Sequence, residues 1–221
     1  MDASFDLSRL SSPFFVHKKA YRRITGYEIE GRRIYVKEYM ENFEEAEREW
    51  YNLQMLREEG FLVPTPLFFK REKEKALLVT EALEGSPLSE LLPRAKEPEI
   101  YLKALAELLS ELHKRGLFHQ DCYLNHFYWE DSTKTLSFLD VARVKRGGLF
   151  SFYYQIKDLA QLGYSFEEYL GERGPHFFKI FLSFYEKKRG KLSFLKRDLL
   201  KIKMAQIRRR TMKRRLEGRP L

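Results

Sequence analysis

The feature that most restricts how this chain can fold is the stretch from His119 to Arg143, where two short apolar runs flank a polar turn. It reads His119-Gln120-Asp121-Cys122-Tyr123-Leu124-Asn125-His126-Phe127, then Tyr128-Trp129 and the turn Glu130-Asp131-Ser132-Thr133-Lys134. Thr135-Leu136-Ser137-Phe138-Leu139-Asp140-Val141-Ala142-Arg143 completes it. Runs of this kind around such a turn predict a β-hairpin. One acid stands at its entrance and another at its exit, so Asp121 and Asp140 are expected to face one cleft.

A pair of carboxylates so placed suits phosphoryl transfer, in which one orients or deprotonates the attacking hydroxyl and the other holds the magnesium that neutralises the triphosphate. Asp121 fits the first role and Asp140 the second. The pattern resembles the protein-kinase catalytic loop, His-Arg-Asp followed five residues later by a metal-binding Asn, with Asp-Phe-Gly downstream. The matching positions here hold Gln120, His126 and Asp140-Val141-Ala142-Arg143. An His-x-Asp-Cys-Tyr-x-x-His-Phe loop followed by Asp-x-x-Arg resembles the lipopolysaccharide core heptose kinase family, with Kdo (3-deoxy-manno-octulosonate) kinases as near relatives.

That resemblance covers about residues 20–215. It implies an α+β, protein-kinase-like two-lobed fold, with a small antiparallel β N-lobe carrying one helix and a mainly helical C-lobe. It further implies ATP- and magnesium-dependent phosphorylation of a sugar hydroxyl, heptose or Kdo, in the lipopolysaccharide inner core. The expected organisation is a flexible arm over 1–16, an N-lobe over 17–83 and a helical C-lobe over 84–221, with basic helices in 187–221. Two other readings are a small atypical protein kinase and a non-catalytic kinase-like module that binds nucleic acid.

Strand-like segments at 21–25, 27–30 and 33–39 predict an antiparallel sheet. Lys37, after Ile34-Tyr35-Val36, resembles the strand lysine that kinases place against the α- and β-phosphates. Residues 43–59 read as a helix, in which Glu49 shares a face with Leu53 and Leu56. An unpaired acid there would be costly, so Glu49 is expected to pair with Lys37, with Glu45 one turn earlier as the competitor. The resemblance favours Glu49, through Arg48-Glu49-Trp50. No Gly-x-Gly-x-x-Gly is present; Arg22, Arg23, Thr25 and nearby amides are the candidates to cover the phosphates, and a basic exposed strand is the alternative.

Ala76–Leu83 followed by Glu84-Gly85-Ser86-Pro87 matches the hinge of the fold, which implies adenine contacts from the backbone of Glu81 and Leu83. His119 reads as a structural anchor and His113 as a helix-end residue. Neutral imidazole is a poor magnesium ligand, so His126 is expected to bond a phosphate or orient Asp121, and Asn125 could supply a metal oxygen; both stand open. Gln120 replaces the arginine that receives an activation-loop phosphate. Only 17 residues separate Asp140 from Asp158, too few for a protein-docking platform. Asp158, in Lys157-Asp158-Leu159-Ala160, is expected to cap its helix or bind the catalytic-loop backbone. Arg143, Lys145 and Arg146 are candidates for the acceptor's phosphates.

Cys122 is the single cysteine, which excludes an internal disulfide and, beside Asp121, points to packing over reactivity. Residues 187–221 hold fifteen Lys/Arg against two acids, +13 of a total of +9, so the remainder carries −4. Such a basic, amphipathic end fits an anionic membrane surface; the glycolipid acceptor favours that over nucleic acid, which is not expected. Met1-Asp2-Ala3-Ser4-Phe5-Asp6 lacks signal-peptide character, and no apolar run approaches the roughly 18 residues of a span. The expected location is cytoplasmic, or peripheral at the cytoplasmic face of the inner membrane.

Overall fold

Residues 12–19 and 21–217 are described by a computed structural model. One unit runs to Glu84 and takes up Ser137–Arg143; the other comprises Gly85–Leu136 and the chain from Val144 onward.

In the first unit β1 (Phe15–Lys18), β2 (Arg22–Ile29), β3 (Arg32–Tyr39), α1 (Phe43–Glu58), β4 (Pro66–Arg71) and β5 (Ala76–Glu81) follow in order. The strands form one antiparallel sheet ordered β1-β2-β3-β5-β4. The two segments expected at 21–25 and 27–30 are a single strand that continues through Gly26. The β2–β3 turn is Glu30-Gly31, both left-handed at φ 51° and 75°, a geometry whose twist suits a tight hairpin. Of the arm expected over 1–16, residues 1–11 lie outside the described residues, whereas Phe15 and Val16 belong to β1 and pair with Gly26 and Thr25.

Side chains alternate across a strand, so the register decides which of them share a face. Val36 faces Val79 and Thr25 across its neighbours, and Ile34, Val36, Leu77 and Val79 form one buried cluster with Tyr27 and Ile29 against it. Lys37 and Tyr39 point the other way, where Tyr39, Ala46 and Ala76 pack beneath α1. Helix α1 buries Ala46, Glu49, Leu53 and Leu56, the helical spacing read in the sequence. Gly60, at φ 81°, ends it.

The second unit contains β6 (Ser86–Pro87), α2 (Leu88–Leu91), α3 (Pro98–Lys114), β7 (Leu117–Phe118), β8 (Phe127–Glu130), β9 (Thr135–Phe138), β10 (Lys145–Arg146), α4 (Ser151–Leu170), α5 (Gly174–Arg189) and α6 (Phe194–Leu216). β8 and β9 are the predicted hairpin, neighbours in a sheet ordered β6-β8-β9, and the border between the units falls inside β9. Helix α3 buries Leu102, Leu105, Ala106, Leu109 and Leu112, and the aromatic stripe of α5 is core through Phe177, Phe178, Phe181 and Tyr185. Helix α4 begins at Ser151, earlier than the Lys157 expected, so Asp158 lies two turns inside it and caps nothing. Gly163 lets α6 approach α4, because a Cβ there would stand 2.8 Å from the Met204 methyl.

Candidate active site

In the first unit Lys37 and Glu49 form an ion pair. Glu49 is 2% exposed, and its other oxygen accepts the hydroxyl of Tyr39 at 2.8 Å. Arg22 extends this chain by donating to Tyr39 at 3.4 Å and to Glu45 at 3.3 Å. Glu45, the competitor for Lys37, is therefore engaged by Arg22. Burial works against the Arg22 charge, but Tyr39, Asp140 and Glu49 outweigh it and hold the guanidinium pKa above its ordinary value. Burial, and then the Glu49 charge, push the Tyr39 phenol well above its usual range. The result is a buried series of groups with the cations Lys37 and Arg22 on one face of the sheet.

Arg23 and Thr25 do not join them. β2 pairs Arg23 with Glu38 and Thr25 with Val36, which puts both side chains on the face opposite Lys37. Arg23 lies 3.9 Å from Glu38, and Thr25 is buried with its hydroxyl unpaired. The side chains beside Lys37 are those of Arg22 and Ile24, with Gly26 against the ring of Phe14. That ring meets Tyr35 edge-on at 6.0 Å. The β1–β2 connection is closed by Lys19 and Arg22, whose backbones exchange hydrogen bonds of 2.7 and 3.4 Å.

At the hinge the Glu81 amide is spent on the carbonyl of Thr65, and the Ala82 amide on that of Arg33, both at 2.9 Å. Asp140 is left-handed at φ 59°, a strained conformation for a non-glycine residue. The 3₁₀ turn that follows, Val141–Arg143, is tied to α1 by Asn52, whose amide donates to the Val141 carbonyl at 2.8 Å. Asn52 is one turn beyond Glu49, so one helix positions both Glu49 and the segment bearing Asp140. Arg143 is exposed.

In the second unit the loop around Asp121 is shaped by Asp158, which is fully buried. Its carboxylate accepts the amides of His119 at 2.8 Å and Gln120 at 2.7 Å, and the Gln120 side chain at 2.9 Å. Gln120 is held left-handed at φ 62° with its side chain turned inward. His113 lies in the last turn of α3, as expected, and is buried there: Nε2 lies 3.1 Å from Asp158 and Nδ1 2.7 Å from the Tyr185 hydroxyl. All these groups are satisfied when Nε2–H donates to Asp158 and Tyr185 donates to Nδ1. Burial pushes the Tyr185 phenol up to about 12.

His119 is completely buried and its Nδ1 accepts the Asp121 amide at 3.3 Å. The Asp121 carbonyl accepts from His126 Nδ1 at 2.8 Å. Asn125 is half-buried in the 3₁₀ turn Leu124–His126. Cys122 is buried, and burial, with the charges of Asp158 and Asp121, raises its thiol well above the ordinary value. Its amide donates to Gln161 at 3.2 Å, and Gln161 returns a bond to the Gln120 carbonyl. Lys145 is exposed on β10, with its ammonium over the Tyr154 ring at 5.4 Å.

A family model described as the lipopolysaccharide kinase (Kdo/WaaP) family matches residues 15–205. The chain belongs to this family. The lipopolysaccharide core heptose(I) kinase WaaP of Pseudomonas aeruginosa is 26% identical over 139 residues, 54% of this chain and 52% of that protein. The match thus spans about half the length of that curated relative. Among solved structures, one titled WaaP in complex with acyl carrier protein is 24% identical, covering 93% of this chain and 90% of that one, with a TM-score of 0.63. An aminoglycoside-3'-phosphotransferase of type VIII is 20% identical over 80% of this chain and 86% of its own, with a TM-score of 0.65. The fold of this Kdo/WaaP family member is accordingly protein-kinase-like, an antiparallel sheet unit followed by a mainly helical one.

Proposed function

We propose that this chain transfers the γ-phosphate of ATP to a sugar hydroxyl, heptose or Kdo, of the lipopolysaccharide inner core. The observation that carries the reading is the Lys37–Glu49 pair, in which Glu49 is buried and Lys37 half-buried. Removing an ion pair from water is a poor way to gain stability, whereas a cation held rigidly on the sheet is what nucleotide phosphates require. Lys37 takes the α- and β-phosphates and Glu49 fixes it. Arg22, on the same face, is a second cation for the triphosphate, in place of the Arg23 and Thr25 side chains. Phe14, Ile24 and Tyr35 offer the apolar cover for adenine, and the backbone of Glu81 and Leu83 its hydrogen bonds.

Asp140 and Asn125 carry the oxygen donors that magnesium prefers, and we assign them to that ion; neutral imidazole is a poorer magnesium ligand, which leaves His126 to the Asp121 carbonyl that its Nδ1 contacts. When bound, magnesium supplies positive charge against the phosphoryl group in transit. Asp121 accepts the proton of the sugar hydroxyl or orients it, while His126 holds its carbonyl and Asp158 holds the two amides that precede it. Arg143 and Lys145 take anionic groups of the acceptor. Among the described residues no helix is long and apolar enough to cross a membrane. We place the enzyme in the cytoplasm, at the inner face of the membrane, with the basic residues of α6 toward anionic headgroups.

The test is transfer of labelled γ-phosphate from Mg-ATP to dephosphorylated lipopolysaccharide core, with a generic protein acceptor alongside. Asp121→Asn is expected to keep ATP binding and lower turnover by about two to four orders of magnitude. Label on the protein and none on the glycolipid would overturn the choice of acceptor; near-normal turnover in the variant would remove Asp121 from the chemistry.

A further inference from the structure

Helices α4 and α6 enclose a cleft of about 360 Å³ lined by Tyr153, Lys157, Gln161, Lys203, Gln206, Ile207 and Arg210. The spacing explains the lining: Tyr153, Lys157 and Gln161 follow at four-residue steps along α4, and Lys203, Ile207 and Arg210 at four and three along α6, so each set forms one stripe. Three of the residues are cationic, and no carboxylate among the described residues lines the cleft. The acids of α4 lie elsewhere. Glu167 and Glu168 pair with Arg208 and Arg215, and Asp158 points into the catalytic loop.

The positive character reaches the phenol. Lys203 Nζ donates to the Tyr153 hydroxyl at 3.0 Å, and this bond, with the charges of Lys203, Lys157 and Lys145, lowers the Tyr153 pKa. Beyond the cations the cleft offers the Tyr153 ring, one side of which carries the Lys203 ammonium 5.0 Å from its centre, and the carboxamide of Gln206, groups that suit a hydroxylated ring more than a bare phosphate. Its floor is Gln161, 2% exposed. Both ends of that carboxamide are used by the catalytic loop, Oε1 by the Cys122 amide and Nε2 by the Gln120 carbonyl, each at 3.2 Å. Asp121 is the residue between those two.

We propose that this cleft is a binding subsite for an acidic sugar, one bearing a phosphate or a carboxylate, which Lys203, Arg210 and Lys157 hold by charge and Tyr153 and Gln206 by its ring. Its assignment to a second saccharide unit of the acceptor rests on the kinase reading above; the binding itself does not. Occupancy acts on Asp121 through Gln161, which makes Gln161 a positioning residue that couples an acidic neighbour in the glycan to the phosphorylation site.

The experiment is titration calorimetry on the full chain without ATP or glycolipid, using mannose 6-phosphate, mannose, inorganic phosphate and phosphatidylglycerol vesicles as separate probes. Mannose 6-phosphate is expected to bind more tightly than mannose or phosphate. Lys203→Met with Arg210→Gln is expected to weaken it by about tenfold or more, the effect of losing charge-assisted hydrogen bonds, with an unchanged melting temperature. Asp121→Asn should bind the probe like wild type, which separates the cleft from the catalytic site. Equal binding of mannose or phosphate, or unaltered binding in a folded double variant, would overturn the subsite. Retention on vesicles without binding of mannose 6-phosphate would make it a lipid-headgroup site and overturn the sugar assignment. If the probe binds as expected while no phosphate reaches the glycolipid, the subsite stands and the kinase reading is what fails. In turnover the double variant should raise the KM for acceptor and leave that for ATP unchanged.

Discussion

The two units position functional groups by opposite means. In the first, the side chains proposed to act on the nucleotide are themselves the buried network: Glu49 holds Lys37 and Tyr39, and Tyr39 receives Arg22. In the second, the residue proposed for chemistry, Asp121, is held through its backbone, and the buried carboxylate that shapes its loop, Asp158, belongs to a different helix. A change in the first network therefore alters stability and nucleotide binding together. The second allows the two to be separated, because the amide and carbonyl bonds that hold the Asp121 backbone do not involve its carboxylate.

The largest effect is expected from Asp158→Ala. It strands the buried amides of His119 and Gln120 and removes one of the two partners of the Gln120 side chain and of His113, which should cost roughly 3–5 kcal/mol, the range for breaking a buried charged contact. Urea unfolding monitored by circular dichroism measures it, and a loss below about 1 kcal/mol would show that the loop does not depend on that carboxylate. Next comes Glu49→Gln, which leaves the Lys37 ammonium without its countercharge. Stability should fall by about 3 kcal/mol and ATP binding should weaken with it; a stable protein with normal ATP affinity would break the contrast between the units. Tyr39→Phe is milder. It removes one hydroxyl between Arg22 and Glu49, worth about 1 kcal/mol, and should leave the Lys37–Glu49 pair and ATP affinity nearly unchanged by calorimetry.

The smallest effect sharpens the same contrast in chemical terms. Cys122 sits in the loop beside Asp121, yet it is buried and its thiol is raised by that burial. Iodoacetamide at neutral pH should leave it unmodified in the folded protein and label it once urea unfolds the chain, as read by mass spectrometry. Rapid labelling under native conditions would mean that the loop opens.

Where the sequence reading succeeded, it relied on local periodicity. The three- and four-residue spacing of Glu49, Leu53 and Leu56 was enough to bury the acid, and a buried acid needs a cation, which Lys37 supplies. Where it failed, the missing quantity was register. Arg23 and Thr25 looked as good as Arg22 beside the phosphates, but one position along a strand reverses the face. The order of residues alone does not say which strand pairs with which offset. The helix-end position of His113 was read correctly, but its partners were missed for a related reason: Asp158 and Tyr185 lie 45 and 72 positions away, so nothing adjacent to it in the chain announces them.

The sequence by itself thus determined the hairpin between Asp121 and Asp140, the amphipathic helix that carries Glu49 and the family resemblance. Each is written in spacings of a few residues, where backbone geometry is periodic. Only the tertiary structure decided that Arg22 joins Lys37, that Asp158 shapes the loop around Asp121 from two turns inside α4, and that α4 and α6 leave a cationic cleft between them. Those outcomes depend on which distant surfaces exclude water together, and a buried polar group takes whichever partner that packing brings within hydrogen-bonding distance.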